Sequence, residues 1–105
     1  GNVPTLRYTD QKKAYTVIDR ATFLSLQKDI KLQVLVEKDT ALLNYISLVP
    51  VNPKKFGKVN YEGAMTFVKW LTAPGKGQAV IGGFGKDKYG SPLFFPNSKE
   101  WRQAK

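Results

Sequence analysis

The feature that most constrains the fold is a β-prone run, residues 15–18, that passes directly into a helical pattern. This run is made of β-branched and aromatic side chains, which are typical of a half-buried strand. Asp19 follows and is a good helix cap, because its carboxylate can accept a hydrogen bond from a free backbone N–H of the first turn. Apolar side chains then recur at helical spacing, at Phe23, Leu26 and Ile30. The sequence therefore predicts a strand followed by a helix that ends near residue 29.

The same stretch carries donors that suit a small oxyanion. A strand that leads into a helix leaves backbone N–H groups at the positive end of the helix dipole. Four nearby side chains add hydroxyl donors and a fixed positive charge: Tyr15, Thr16, Thr22 and Arg20. The alternative is structural: Asp19 only caps the helix, Arg20 is solvated and Tyr15 packs. Because capped helices are common, the spacing by itself favours the structural alternative.

Length and composition indicate a single domain and exclude several kinds of chemistry. The chain has 105 residues, of which 42% are hydrophobic, enough for a modest core. It has no cysteine, so disulfides and thiolate metal sites are excluded. It has no histidine, which removes the usual general base, the serine–histidine pair and most zinc chemistry. We therefore expect no catalysis, no metal and no cofactor.

The net charge of +9 lies mostly in the second half of the chain. Residues 1–53 carry +2 and residues 54–105 carry +7. A basic surface favours nucleic acid, anionic lipid or an acidic protein as a partner. Fourteen of the 17 basic residues are lysine, however, and base readout and phosphate forks depend largely on arginine. We therefore interpret the excess charge as a solvated lysine-rich surface, and we do not expect nucleic acid to be a partner.

Further elements can be predicted along the rest of the chain. Residues 32–37 form a short β-prone run, and residues 46–53 form another that Pro50 and Pro53 restrict to an edge, a bulge or an extended connection. Asn60 can cap a helix with apolar residues at i, i+3, i+4 and i+7, which Pro74-Gly75 would end. A short helix would start at Gly77. The glycine-rich residues 82–85 lack the nucleotide-loop patterns and more simply end that helix at positive φ.

Several segments resemble, in order, the C-terminal part of tungstate-binding proteins, the extracytoplasmic solute receptors of ABC importers. Two of them are Val59-Asn60-Tyr61-Glu62-Gly63-Ala64-Met65-Thr66-Phe67 and Gly90-Ser91-Pro92-Leu93-Phe94-Phe95-Pro96-Asn97, and the most specific pieces are the first of these and the Leu93-Phe94-Phe95-Pro96 ending of the second. Matching pieces also lie at residues 14–24, 35–37, 51–55 and 70–74. The resemblance covers nearly the whole chain from about Ala14 onward.

The resemblance implies an α/β fold of two three-layer α/β/α lobes, of which this chain would be the C-terminal half, completed by further chain or by dimerisation. Residues 14–45 would belong to the second lobe, 46–53 to a hinge-crossing strand, and 54–105 to first-lobe helices and tail. The implied ligand is tungstate, with molybdate as the close alternative, bound outside the cytoplasm (in the periplasm or extracellular space) and delivered to the membrane subunit of an ABC importer. The implied oxyanion residues are Tyr15, Thr16, Asp19, Arg20 and Thr22.

The chain also departs from the family pattern. Family members are more than twice as long, and the Thr/Ser-rich oxyanion motif of their N-terminal half has no counterpart here. We therefore expect these 105 residues alone to bind tungstate weakly or not at all. Two other functions stay open at this point: a basic regulatory or nucleic-acid-binding module of related fold, and an enzyme, which the absence of histidine and cysteine disfavours.

Overall fold

A computed structural model describes all 105 residues, and its regular elements are helices. Six are α-helices and one is a 3₁₀ turn. Their bounds are α1 Asn2–Lys12, α2 Arg20–Leu26, a 3₁₀ turn Thr40–Leu42, α3 Tyr61–Thr72, α4 Gly77–Gly83, α5 Lys86–Tyr89 and α6 Lys99–Gln103. The longest has 12 residues, so none has the length and apolar character needed to cross a membrane.

The predicted α/β fold is wrong for this chain, because the structure contains no strand and no sheet. The three β-prone runs, residues 15–18, 32–37 and 46–53, contain no strand and pair with no neighbour. A strand is stable only where an adjacent strand accepts and donates its backbone hydrogen bonds. These 105 residues offer no such neighbour, so side-chain propensity alone does not produce the lobes.

The predicted helix boundaries follow local capping signals and are largely confirmed. Asp19 caps α2 through the Thr22 amide, and Asn60 caps α3 through the Gly63 amide. α3 ends at Thr72, just before Pro74-Gly75, and α4 begins at Gly77 as predicted. α2 is shorter than predicted and ends at Leu26. The first residues, Asn2–Lys12, form α1.

The tightest packing joins α3, α4 and the segment that leads into α6, residues 90–98, which we call the tail. Gly77 lies so close to α3 that an added Cβ would sit 2.3 Å from the Cα of Leu71. Gln78 is buried; its side-chain amide donates to the Leu71 carbonyl, and its oxygen accepts from the amides of Asn97 and Ser98. The Ser98 hydroxyl caps α6 and donates to the Thr72 carbonyl. One buried glutamine therefore joins three segments.

Little of the chain is buried. Five residues meet that description, among them the apolar side chains of Leu6 and Leu26. The accessible surface is 8702 Å², whereas a compact protein of this mass exposes about 5,900 Å². The Cα radius of gyration is 17.5 Å, against about 13 Å for a compact chain of this length. The molecule is therefore extended, with large apolar side chains exposed along the unpaired runs.

Candidate anion-binding site

The N-terminus of α2 is occupied by the chain's own carboxylate. Asp19 Oδ1 accepts from the Thr22 amide at 2.8 Å, and Asp19 Oδ2 accepts from the Thr22 hydroxyl at 2.7 Å. The Asn2 side-chain amide donates to Oδ2 at 2.6 Å. Because the Thr22 hydroxyl proton points at Asp19, it is not directed at a ligand in this geometry. Asp19 and Thr22 therefore form a cap that holds the start of α2.

The environment of Asp19 lowers its pKa. Partial burial opposes the charged form, but the hydrogen bonds from the hydroxyl and amide of Thr22 and from Asn2 outweigh it, so the pKa lies below the usual aspartate value. The carboxylate is therefore negatively charged over the physiological range. A dianion at this helix end would meet that charge directly.

Arg20, the next residue, contacts the tail of the chain. Its Nη2 donates to the Ser91 hydroxyl at 2.7 Å, and its Nε donates to the Pro92 carbonyl at 3.4 Å. The Phe95 ring lies 5.5 Å from the guanidinium carbon, within range of a cation–π interaction. Glu37 lies 3.9 Å from Nη1. The guanidinium thus has partners from two distant segments.

Tyr15 and Thr16 lie on the extended run before the cap and are not brought to Arg20 by any hydrogen bond. The Tyr15 side chain is 87% exposed. The Thr16 hydroxyl makes only a 3.4 Å contact to the neighbouring Val17 carbonyl. Of the five predicted residues, the structure brings together Asp19 and Thr22, places Arg20 beside the tail, and leaves the two hydroxyls of Tyr15 and Thr16 open to solvent.

The partners of Arg20 were not among the predicted site residues. Ser91 is separated from Arg20 by 71 positions, so local spacing could not relate the two. The available signal was the Gly90-to-Asn97 segment, which carried part of the family resemblance without an assigned role. Phe95 is 65% exposed and lies over the guanidinium. No group of three or more carboxylates, histidines or cysteines is placed to hold a metal ion.

The chain is similar in sequence to one class of protein, the anion-binding proteins: three similar curated proteins are each named for binding an anion. A tungstate-binding protein TupA of Peptoclostridium acidaminophilum is 47% identical over 93 residues, which are 89% of this chain and 32% of that protein. A protein of Haloferax volcanii named as an ABC transporter anion-binding protein is 42% identical over 99 residues, 90% of this chain and 28% of that protein. The tungstate-binding protein TupA of Campylobacter jejuni is 31% identical over 77 residues, 70% of this chain and 29% of that protein.

These similarities confirm the resemblance to tungstate-binding proteins. The chain spans about a third of the length of the curated relatives it matches. No protein-family profile matches the chain, and no solved structure matches it. The relatives are binding proteins and none is named as an enzyme. None is named for nucleic-acid binding, so the regulatory alternative gains no support.

Proposed function

We propose that this chain is part of an extracytoplasmic solute-binding protein that captures tungstate, or the similar oxyanion molybdate, and delivers it to an ABC importer. The observation that carries the proposal is the 47% identity to a tungstate-binding protein over 89% of the chain. The chain itself would be a binding component with no catalytic role. Three parts of that longer receptor would be the segment of residues 14–45, the connecting residues 46–53, and the helices and tail from residue 54 onward.

Arg20 is the residue we propose as the positive contact for the oxyanion. Its side chain is 35% exposed, so solvent and a small ion can reach it. Two hydrogen bonds to the tail use two of its five N–H donors, and the others remain for a ligand. A bound oxyanion in a cleft loses its water and needs donors in return, which a guanidinium and hydroxyls supply.

The other predicted residues take different parts in this proposal. Tyr15 and Thr16 precede Arg20 in the chain; the Tyr15 hydroxyl donates to no protein group, and the Thr16 hydroxyl makes only a long 3.4 Å contact to the Val17 carbonyl that a ligand could replace. Asp19 and Thr22 would act indirectly, because their mutual hydrogen bonds fix the backbone that carries Arg20. Glu37 competes with the oxyanion for the guanidinium, so binding would require the anion to outweigh or displace it.

The test is titration calorimetry of the full-length gene product that contains these residues, with tungstate and, separately, sulfate. We expect tight binding of tungstate, much weaker binding of sulfate, and loss of most tungstate affinity in Arg20→Gln. Arg7→Gln is the matched control, because Arg7 pairs only with Asp29 on an exposed surface. Absence of tungstate binding by the unsubstituted protein would contradict the proposed function.

A further inference from the structure

We propose that Ser91 is a second oxyanion-binding residue, which donates its hydroxyl proton to the same anion as Arg20. This inference rests on the proposed function and adds a residue 71 positions away to the site. The starting point is the 2.7 Å hydrogen bond in which Arg20 Nη2 donates to Ser91 Oγ.

The direction of that hydrogen bond leaves the hydroxyl proton free. An arginine has donors only, so Ser91 Oγ must be the acceptor in the pair. A serine hydroxyl that accepts one hydrogen bond still has its own proton to donate. The Ser91 hydroxyl donates to no protein acceptor within hydrogen-bond distance, whereas those of Ser25 and Ser98 donate to the carbonyls of Thr22 and Thr72. Ser91 therefore differs from Ser25 and Ser98 in having an unused donor.

The backbone around Ser91 holds that donor beside the guanidinium. The Pro92 carbonyl accepts from Arg20 Nε and the Phe95 ring packs against the guanidinium, so three residues of the 91–95 segment contact one side chain. Gly90 precedes Ser91 at φ 77°, a conformation that glycine adopts without strain. Ser91 is partly exposed, as is Arg20, so both donors are accessible from solvent.

Two adjacent donors of this kind match the chemistry of a tetrahedral oxyanion. The second N–H of Arg20 Nη2 and the O–H of Ser91 are both available as donors. Their heavy atoms, Nη2 and Oγ, lie 2.7 Å apart, a distance comparable to the spacing between oxygens in such an ion. Hydrogen bonds to a charged acceptor are the strong ones, since the anion polarises the donor. The arginine would supply charge, and the serine would supply a second, directed contact.

The experiment is tungstate titration of the full-length gene product with Ser91→Ala, Ser91→Thr and the control Ser25→Ala, each also melted without ligand. We expect Ser91→Ala to weaken tungstate binding about tenfold, the usual effect of losing one hydrogen bond to a charged group. Ser91→Thr should restore most of the affinity because it keeps the hydroxyl. Ser25→Ala should leave affinity unchanged.

The outcomes separate this inference from the proposed function. Unchanged affinity in Ser91→Ala, with normal binding by the unsubstituted protein, would overturn the role of Ser91 alone. A lower melting temperature of ligand-free Ser91→Ala with unchanged affinity would overturn it too and make the contact purely structural. No tungstate binding by the unsubstituted protein would overturn both proposals.

Discussion

Asp19 connects the charge state of one residue to the stability of the chain's first half. Its carboxylate satisfies donors from Thr22 and Asn2, so it ties α2 to α1 as well as capping α2. These hydrogen bonds require the ionised form. Because they outweigh the effect of partial burial, the folded pKa lies below the value of an unfolded aspartate.

The sign of the pH effect follows from that shift. A group whose pKa is lower in the folded state stabilises the fold at pH above its unfolded pKa, about 3.9, and this contribution is lost as the pH falls through the folded value. We therefore expect acid unfolding monitored by circular dichroism to depend less on pH below about 4 in Asp19→Asn. The substitution Asp87→Asn serves as control. Equal pH dependence in Asp19→Asn and the original chain would contradict this role.

At the scale of elements, α3, α4 and the tail depend on two adjacent residues. Gly77 allows α4 to begin against the backbone of α3. Gln78 donates a hydrogen bond to the Leu71 carbonyl and accepts hydrogen bonds from two backbone amides of the tail. Neither residue depends on hydrophobic burial. The packing of this unit is therefore specified by a close backbone approach and by polar satisfaction.

Gly77→Ala should destabilise this unit strongly, because its Cβ would collide with the Leu71 backbone at 2.3 Å and backbone cannot move aside cheaply. We expect a loss of about 2 kcal/mol or more in the free energy of unfolding, as for overpacked sites. Gly83→Ala, in the same helix with nothing within 4 Å, is the matched control and should be neutral or slightly stabilising. The free energy of unfolding of both variants can be measured by urea titration. Equal stability of Gly77→Ala and Gly83→Ala would contradict the close approach of α4 to α3.

Gln78→Leu should also destabilise the unit, because it leaves the amides of Asn97 and Ser98 and the Leu71 carbonyl without their partner. An unsatisfied buried group costs about 1–3 kcal/mol; because Asn97 is exposed and water can reach its amide, we expect a total loss of about 1–3 kcal/mol. Gln103→Leu, exposed in α6, is the comparison. A urea midpoint for Gln78→Leu as high as that of Gln103→Leu would argue against the network.

The sequence predicted those elements whose signals are local. The caps at Asp19 and Asn60, the stop at Pro74-Gly75 and the start at Gly77 act within a few residues, and the structure confirms them. The strands failed because pairing depends on a neighbour and not on propensity. At the candidate site, the cap could be predicted, whereas the partners of Arg20 lie far along the chain and could not.

At the scale of the whole molecule, unpaired backbone is the dominant feature. Residues 32–37 and 44–51 donate no backbone hydrogen bond to another backbone group, although they carry apolar side chains that are mostly exposed. Such runs can pair with other chains through their free donors and acceptors. The extended shape of the molecule reflects this shortage of internal partners.

Amide hydrogen exchange measures the lack of backbone hydrogen bonds in these runs directly. We expect amides of residues 32–37 and 44–51 in the isolated 105-residue chain to exchange nearly as fast as in an unstructured peptide, because none is protected by a backbone partner. Amides in the middle of α3 should exchange more slowly and serve as the internal reference. Slow exchange in both runs, together with a doubled mass in light scattering, would instead indicate a dimer paired through these segments.

The separation between Arg20 and Ser91 also has a consequence during synthesis. At 5–20 residues per second, a ribosome needs about 4–14 s to extend the chain by the 71 positions from Arg20 to Ser91. Asn2 and Thr22 precede the tail in the chain, so the α2 cap can assemble while the tail does not yet exist. Once Glu37 has been added, 17 residues after Arg20, it is the one observed partner available to the guanidinium until Ser91 is made. On the nascent chain, Glu37 can therefore pair with Arg20 before Ser91 is synthesised.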